Sequence, residues 1–285
     1  MKFTLTSAAL ILFLSTGCRE LKLSTADITD GFNFGKQIYE ASKDITQEQE
    51  YYVGRSVAAN VLGRYKLYDN AEATAYVGDI GALLAINSKQ PEIFGGYHFA
   101  ILDSDEINAF ATPGGFVFVT RGVLRLCKSE DELAAILAHE ISHVQLKHGI
   151  GSVKDNRWTD VATTLGSKAV KKYGNKELVQ LTKSFEDSIS DIANALVVNG
   201  YSRSYEYEAD EYSLGMLRKS AYDDSATLRV LSSMDDRLKD DALGFGSTHP
   251  KASDRLEAIG KLIQKQNGAI PTVRVQRFKS YMKNV

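Results

Sequence analysis

His139-Glu140-Ile141-Ser142-His143 decides how the rest of the chain is read. On a helix, two histidines four residues apart lie on one face, about 6 Å apart along the axis. Both imidazoles then reach a single ion. Neutral imidazole nitrogens at about 2.0 to 2.1 Å suit zinc, and the glutamate beside the first histidine is placed to take a proton from water at the metal. Leu133, Ile136, Leu137, Ile141 and Val144 supply the apolar face that buries such a helix. Ser129, with Glu132 three places on, predicts a capping box at its start, and Gly149 offers a stop. His148 falls off the ligand face and reads as a contact to the helix C-terminal dipole.

A catalytic metal site of this kind needs a third protein ligand and one open position, so another His or acid is expected on a second helix. Tyr205-Glu206-Tyr207-Glu208-Ala209-Asp210 is the candidate. Glu206 and Asp210 stand one helical turn apart, which suits a ligand and a partner behind the metal shell. Periodicity leaves Glu206 and Glu208 both open as the ligand.

Around these two segments the pattern is mainly helical, and the fold class expected is α+β with a small mixed or antiparallel sheet beside the His-Glu-x-x-His helix. Helices are predicted from Thr46 to about Tyr68, with Val53, Val57, Val61 and Leu62 on one face, and from Ala71 to Asn87, with Tyr76, Ile80, Leu83 and Leu84. Three short strands are predicted between Tyr97 and Thr120, the last two joined by a tight turn at Pro113-Gly114-Gly115. His98 in the first strand reads as packed. Residues 152–200 hold an amphipathic helix with Leu178, Leu181, Phe185, Ile189, Ile192 and Leu196, read as core padding in preference to a lid. A further helix is expected from Ser202 to about Ser220. Val273, Val275 and Phe278 come in near-alternation and predict an edge strand in the tail.

The start of the chain carries a different message. Met1-Lys2 precede an apolar run, Phe3 to Leu14, too short to span a bilayer and of the length of a signal-peptide core. Leu14-Ser15-Thr16-Gly17-Cys18 then resembles the lipobox of bacterial lipoproteins, with Ser15 where Leu is commoner. Cys18 would be the acylated N-terminus and a membrane anchor, and Arg19 after it favours an outer-membrane address over an inner one. Cys127 would be the one remaining thiol, which excludes an intramolecular disulfide and reads as a small buried residue. With 34 Lys plus Arg against 36 Asp plus Glu, the net charge of -2 gives no phosphate-neutralising surface, so a nucleic-acid partner is not expected. An apolar fraction of 44%, with 25% charged residues, belongs to an ordinary globular chain.

The His-Glu-x-x-His helix, Glu206 to Asp210, Asn108-Ala109-Phe110-Ala111-Thr112-Pro113-Gly114-Gly115, and Ser247-Thr248-His249-Pro250 with Arg255 together resemble the zinc metallopeptidases that include the CAAX prenyl proteases and bacterial HtpX and BepA. The resemblance covers roughly residues 46 to 260. It implies a gluzincin-like zincin with one Zn(2+) per chain, held by His139, His143 and Glu206, with Glu140 as general base and Asp210 as the acid behind the ligands and a catalytic proton donor. It also gives His249 a role as an occasional fourth ligand or transition-state contact, set against a structural turn fixed by Pro250. Arg255 becomes either an oxyanion contact or a surface ion pair with Asp254 or Glu257. The chain departs from the membrane-embedded members in having no transmembrane helix, and from BepA in having no repeat domain after the peptidase. It looks like a short, soluble lipoprotein branch.

The division expected is therefore a signal peptide over 1–17, a lipid-tethered arm over 18–45 and a metallopeptidase domain over 46–285. The activity expected is hydrolysis of unfolded or misassembled cell-envelope proteins, bound as an extended strand along Asn108, Ala109, Phe110 and Ala111 with weak sequence preference. The other reading is a mostly latent chaperone-like or adaptor protein that keeps the zinc site, with His249 closing the open position.

Overall fold

Thr46 opens the first helix with a full capping box: its hydroxyl accepts from the Gln49 N–H at 3.2 Å, and the Gln49 side chain accepts from the Thr46 N–H at 2.8 Å. The computed structural model describes residues 46–152, 186–194, 196, 200–238, 252–264 and 271–285. In chain order these form α1 (Gln47–Leu62), α2 (Ala71–Ile86), β1 (His98–Leu102), β2 (Ala109–Thr112), β3 (Phe116–Thr120), α3 (Arg121–Leu126), α4 (Glu130–Gln145) and α5 (His148–Gly151). They continue with α6 (Glu186–Asn194), α7 (Arg203–Lys219), α8 (Ala226–Leu238), α9 (Ala252–Gly260) and α10 (Thr272–Tyr281). Helix dominates, with one small sheet, in agreement with the α+β class expected.

Val53, Val57 and Val61 of α1 and Tyr76, Ile80 and Leu84 of α2 are buried, as their spacing predicts, whereas Leu62 and Leu83 stay exposed at the rims of those faces. The sheet is mixed, in the order β1-β3-β2. β1 runs parallel to β3, pairing His98 with Phe116, and β2 runs antiparallel to β3, pairing Ala109 with Val119. A turn at Pro113–Gly115 joins β2 to β3, with Gly114 at φ 70° and Gly115 at φ 92°, where a side chain would be strained. α1 crosses this turn so closely that a Cβ on Gly54 would sit 1.6 Å from the Pro113 carbonyl oxygen. His98 is exposed at the end of β1, not packed inside, and its ring stacks on Phe116 at 4.8 Å.

α4 runs through the interior, with every residue from Glu130 to Gln145 buried. Ser129 accepts from the Glu132 N–H at 3.3 Å, but the Glu132 carboxylate takes the Lys128 N–H at 2.7 Å, so only half of the predicted capping box is made. The helix also ends four residues before Gly149. Lys147 adopts a left-handed conformation (φ 57°, ψ 32°) and its ammonium meets buried Glu50 at 3.1 Å. That tertiary ion pair holds a turn that local sequence does not announce.

Three buried acids open α4, where the helix dipole favours negative charge. Each meets an arginine from the C-terminal part of the chain: Glu130 with Arg277 at 2.5 Å, Asp131 with Arg274 at 2.7 Å, and Glu132 with Arg229 at 3.3 Å. Arg274 and Arg277 lie on α10, so the predicted edge strand is a helix. Arg274, Arg277, Phe278 and Tyr281 share its docking face at helical spacing, with Tyr281 stacked on Tyr76 at 4.3 Å, while Val273 is exposed. The apparent alternation of Val273, Val275 and Phe278 missed a face that is mostly polar and aromatic.

Ile189, Ile192 and Leu196 pack with Val53, Val57 and Phe110, as core padding would. Leu178, Leu181 and Phe185 lie outside the described residues. Cys127 is buried and its thiol donates to the Val123 carbonyl at 3.4 Å. No helix of the described residues is long and apolar enough to cross a membrane.

Candidate metal centre

α4 and α7 pack against each other and bring three donors to one point. The Nε2 atoms of His139 and His143 are 3.0 Å apart, and the two oxygens of Glu206 lie 3.4 Å from one Nε2 each. Donors at the corners of a tetrahedron around an ion with bonds of about 2.0 to 2.1 Å stand about 3.3 Å apart, so the triangle fits a four-coordinate metal. Among the described residues this His-His-Glu group is placed to hold a metal ion, and all three side chains are buried. Geometry thus selects Glu206 over Glu208, whose side chain is turned away and 58% exposed.

Asp210, one turn after Glu206, accepts from His139 Nδ1 at 2.9 Å and so holds that ring by the nitrogen away from the ligand triangle. Arg255, from α9, grips Asp210 with two hydrogen bonds, Nε to Oδ2 at 2.8 Å and Nη2 to Oδ1 at 2.6 Å, and reaches Glu206 Oε2 at 3.3 Å. Burial pulls the Asp210 carboxyl upward, but Arg255 and His139 outweigh it and leave it below its usual range. Of the two readings open for Arg255, the surface ion pair is therefore corrected. Arg255 is a buried clamp on the acids behind the ligands, while Asp254 pairs with Arg203 at 3.6 Å and Glu257 with Lys261 at 3.2 Å.

Glu140 is buried next to the triangle; no side chain among the described residues bonds to its oxygens, and the Ala111 backbone N–H lies against them as a weak donor. Burial pushes its carboxyl up to about 7; the charge of His139 lowers it, that of Glu206 raises it, and the Ala111 backbone exerts a smaller downward pull. A buried carboxylate that no side chain neutralises is a candidate for a functional role. β2 lies beside α4, and Asn108, Ala109, Phe110 and Ala111 are all buried. β2 is an edge strand of the sheet. His249 and Cys18 lie outside the described residues.

Two residues near the triangle, His148 and Tyr201, carry parts that sequence reading did not assign. His148 lies 2.8 Å from His143 through their Nδ1 atoms and 3.3 Å from Glu208 Oε2 through Nε2, which replaces the dipole contact expected of it. Tyr201 lays its ring against His143 at 4.4 Å, with its hydroxyl buried and lacking a hydrogen-bond partner among the described residues. Burial, then the charges of Glu140 and Glu206, hold that phenol well above its usual range, so it stays protonated. Tyr201 stands just before the Ser202 cap of α7, a position that apolar periodicity does not mark.

Comparison with known proteins agrees with this geometry. Residues 71–263 match the model of peptidase family M48. The chain is 32% identical over 154 residues to mitochondrial metalloendopeptidase OMA1 of Schizosaccharomyces pombe, covering 53% of this chain and 42% of that protein. Against the beta-barrel assembly-enhancing protease of Escherichia coli K12 it is 24% identical over 204 residues, covering 70% of this chain and 40% of the relative. OMA1 of Saccharomyces cerevisiae is 28% identical over 171 residues, covering 56% and 44%. The chain thus spans less than half the length of these relatives.

Proposed function

The chain belongs to peptidase family M48, and from that premise we propose that it is a zinc-dependent metalloendopeptidase that cuts unfolded or misassembled proteins of the cell envelope. The observation that carries the reading is the convergence of His139, His143 and Glu206 beside a buried Glu140 that no described side chain holds. Zinc, when bound, supplies Lewis-acid polarisation of the scissile carbonyl and lowers the pKa of attacking water.

The chain's own residues do the rest. His139, His143 and Glu206 hold the ion, and Asp210, clamped by Arg255, keeps His139 in one orientation. Glu140 takes the proton of the attacking water on a carboxylate oxygen and hands it to the leaving amine nitrogen. The backbone edge of β2 would pair with an extended substrate, which suits chains without a fixed sequence motif.

The division into a signal peptide over 1–17, a lipid-tethered arm from Cys18 to residue 45 and a peptidase domain over 46–285 belongs to the same proposal. It places the enzyme on the periplasmic side of the envelope, at the outer membrane. One curated relative is named for beta-barrel assembly, which is compatible with misassembled envelope proteins as substrates. The test is metal removal. Purified chain loaded with zinc should cleave unfolded casein at many sites, lose that activity after stripping with 1,10-phenanthroline and regain it with zinc. Cleavage that survives stripping, or cuts confined to one sequence motif, would count against the proposal.

A further inference from the structure

On an unbroken helix His143 and His148 would point about 140° apart, five residues at about 100° each. The left-handed turn at Lys147 abolishes that separation and folds α5 back. His148 then lies buried against His143, its ring stacked on Tyr205 at 4.2 Å and 7°. Tyr205 and Glu208, three residues apart on α7, hold it from one side, one by stacking and one by the 3.3 Å contact to Nε2.

Counting protons leaves one arrangement. His143 turns Nε2 toward His139 and Glu206, so as a neutral ligand it carries its proton on Nδ1. That N–H donates across 2.8 Å to Nδ1 of His148, which must accept. Neutral His148 then has its proton on Nε2, facing the Glu208 carboxylate. Each ring donates once and accepts or ligates once.

We infer that His148 and Glu208 are positioning residues of the metal site, a Glu208–His148–His143 relay that fixes the tautomer and orientation of the second histidine ligand, as Asp210 does directly for the first. One helix, α7, thereby supplies a ligand at Glu206 and the outer anchors of both histidines at Glu208 and Asp210. The inference rests on the metal site of the proposed function and deepens it.

Zinc affinity, measured by competition with a chromophoric chelator, separates this relay from simple packing. His148→Phe keeps the stack on Tyr205 and removes the acceptor; it should weaken zinc binding about 10- to 100-fold, the range for lost partners of metal-bound histidine. His148→Asn, whose amide oxygen can accept from His143, should recover most of that loss even though it fills less space. Glu208→Ala should fall between wild type and His148→Phe, because water can replace an exposed carboxylate. Thermal unfolding of the metal-free variants, run in parallel, reports packing, and there His148→Phe should be no worse than His148→Asn. Wild-type affinity in His148→Phe, or equal losses in the Phe and Asn variants, overturns the relay, and wild-type affinity in Glu208→Ala overturns its outer half. No zinc binding by the wild type would overturn the metal reading itself, and the relay with it.

Discussion

Glu140→Gln is expected to lower casein cleavage by about 10²- to 10⁴-fold, the contribution of a positioned general base, while zinc content stays at the wild-type level. The substitution is nearly isosteric and removes only the capacity to take a proton. No described side chain bonds to the Glu140 oxygens, and the Gln amide oxygen can still accept from the nearby Ala111 backbone N–H, so the change breaks no bond of the described fold. Burying a neutral amide also costs less than burying a carboxylate, so the unfolding temperature should not fall. Equal activity in wild type and Glu140→Gln would sink the enzyme reading and leave a binding protein that retains the metal site.

The second large effect is on stability. Arg255→Leu should destabilise the chain by about 3 to 5 kcal/mol, as removal of one partner from a buried ion pair does. Arg255 and Asp210 are both about 2% exposed, and the guanidinium makes two bonds to Asp210 while lying 3.3 Å from Glu206. Without it, two carboxylates remain buried close to one another in a medium that solvates neither. Arg255→Lys should rescue little, because a point ammonium cannot reproduce the two-pronged contact. Urea unfolding followed by circular dichroism would measure the difference. A loss under about 1 kcal/mol, the range of an exposed pair, would contradict the burial and the clamp together.

The parts of the fold that local chemistry specifies were legible in the sequence. Thr46 and Ser202 cap helices where expected, the Pro113-Gly114-Gly115 turn needs its two glycines at positive φ, and His139 and His143 share a face because four residues make about one turn. What escaped was decided by tertiary partners. Nothing around Lys147 signals a left-handed residue, and the ion pair with Glu50 that accompanies it comes from a helix almost a hundred residues earlier. His148 was misread for the same reason, since its placement follows from that turn. For Arg255 the sequence offered an oxyanion contact or an ion pair with its chain neighbours Asp254 or Glu257, whereas it pairs with Asp210 and Glu206, 45 residues or more away. In the tail, Val273 and Val275 suggested alternation, while the contacts that dock α10 belong to Arg274, Arg277, Phe278 and Tyr281. The choice between Glu206 and Glu208, which periodicity left open and family resemblance resolved, has a geometric reason. Glu206 meets both histidines, and Glu208 meets His148.

All of this converges on one ion held between α4 and α7, and anomalous diffraction at the zinc edge from crystals of the zinc-loaded chain tests it most directly. The account predicts a single strong peak per chain, about 2.0 to 2.1 Å from Nε2 of His139, Nε2 of His143 and an oxygen of Glu206. A peak that excludes Glu206, or no peak between these three residues, would contradict it.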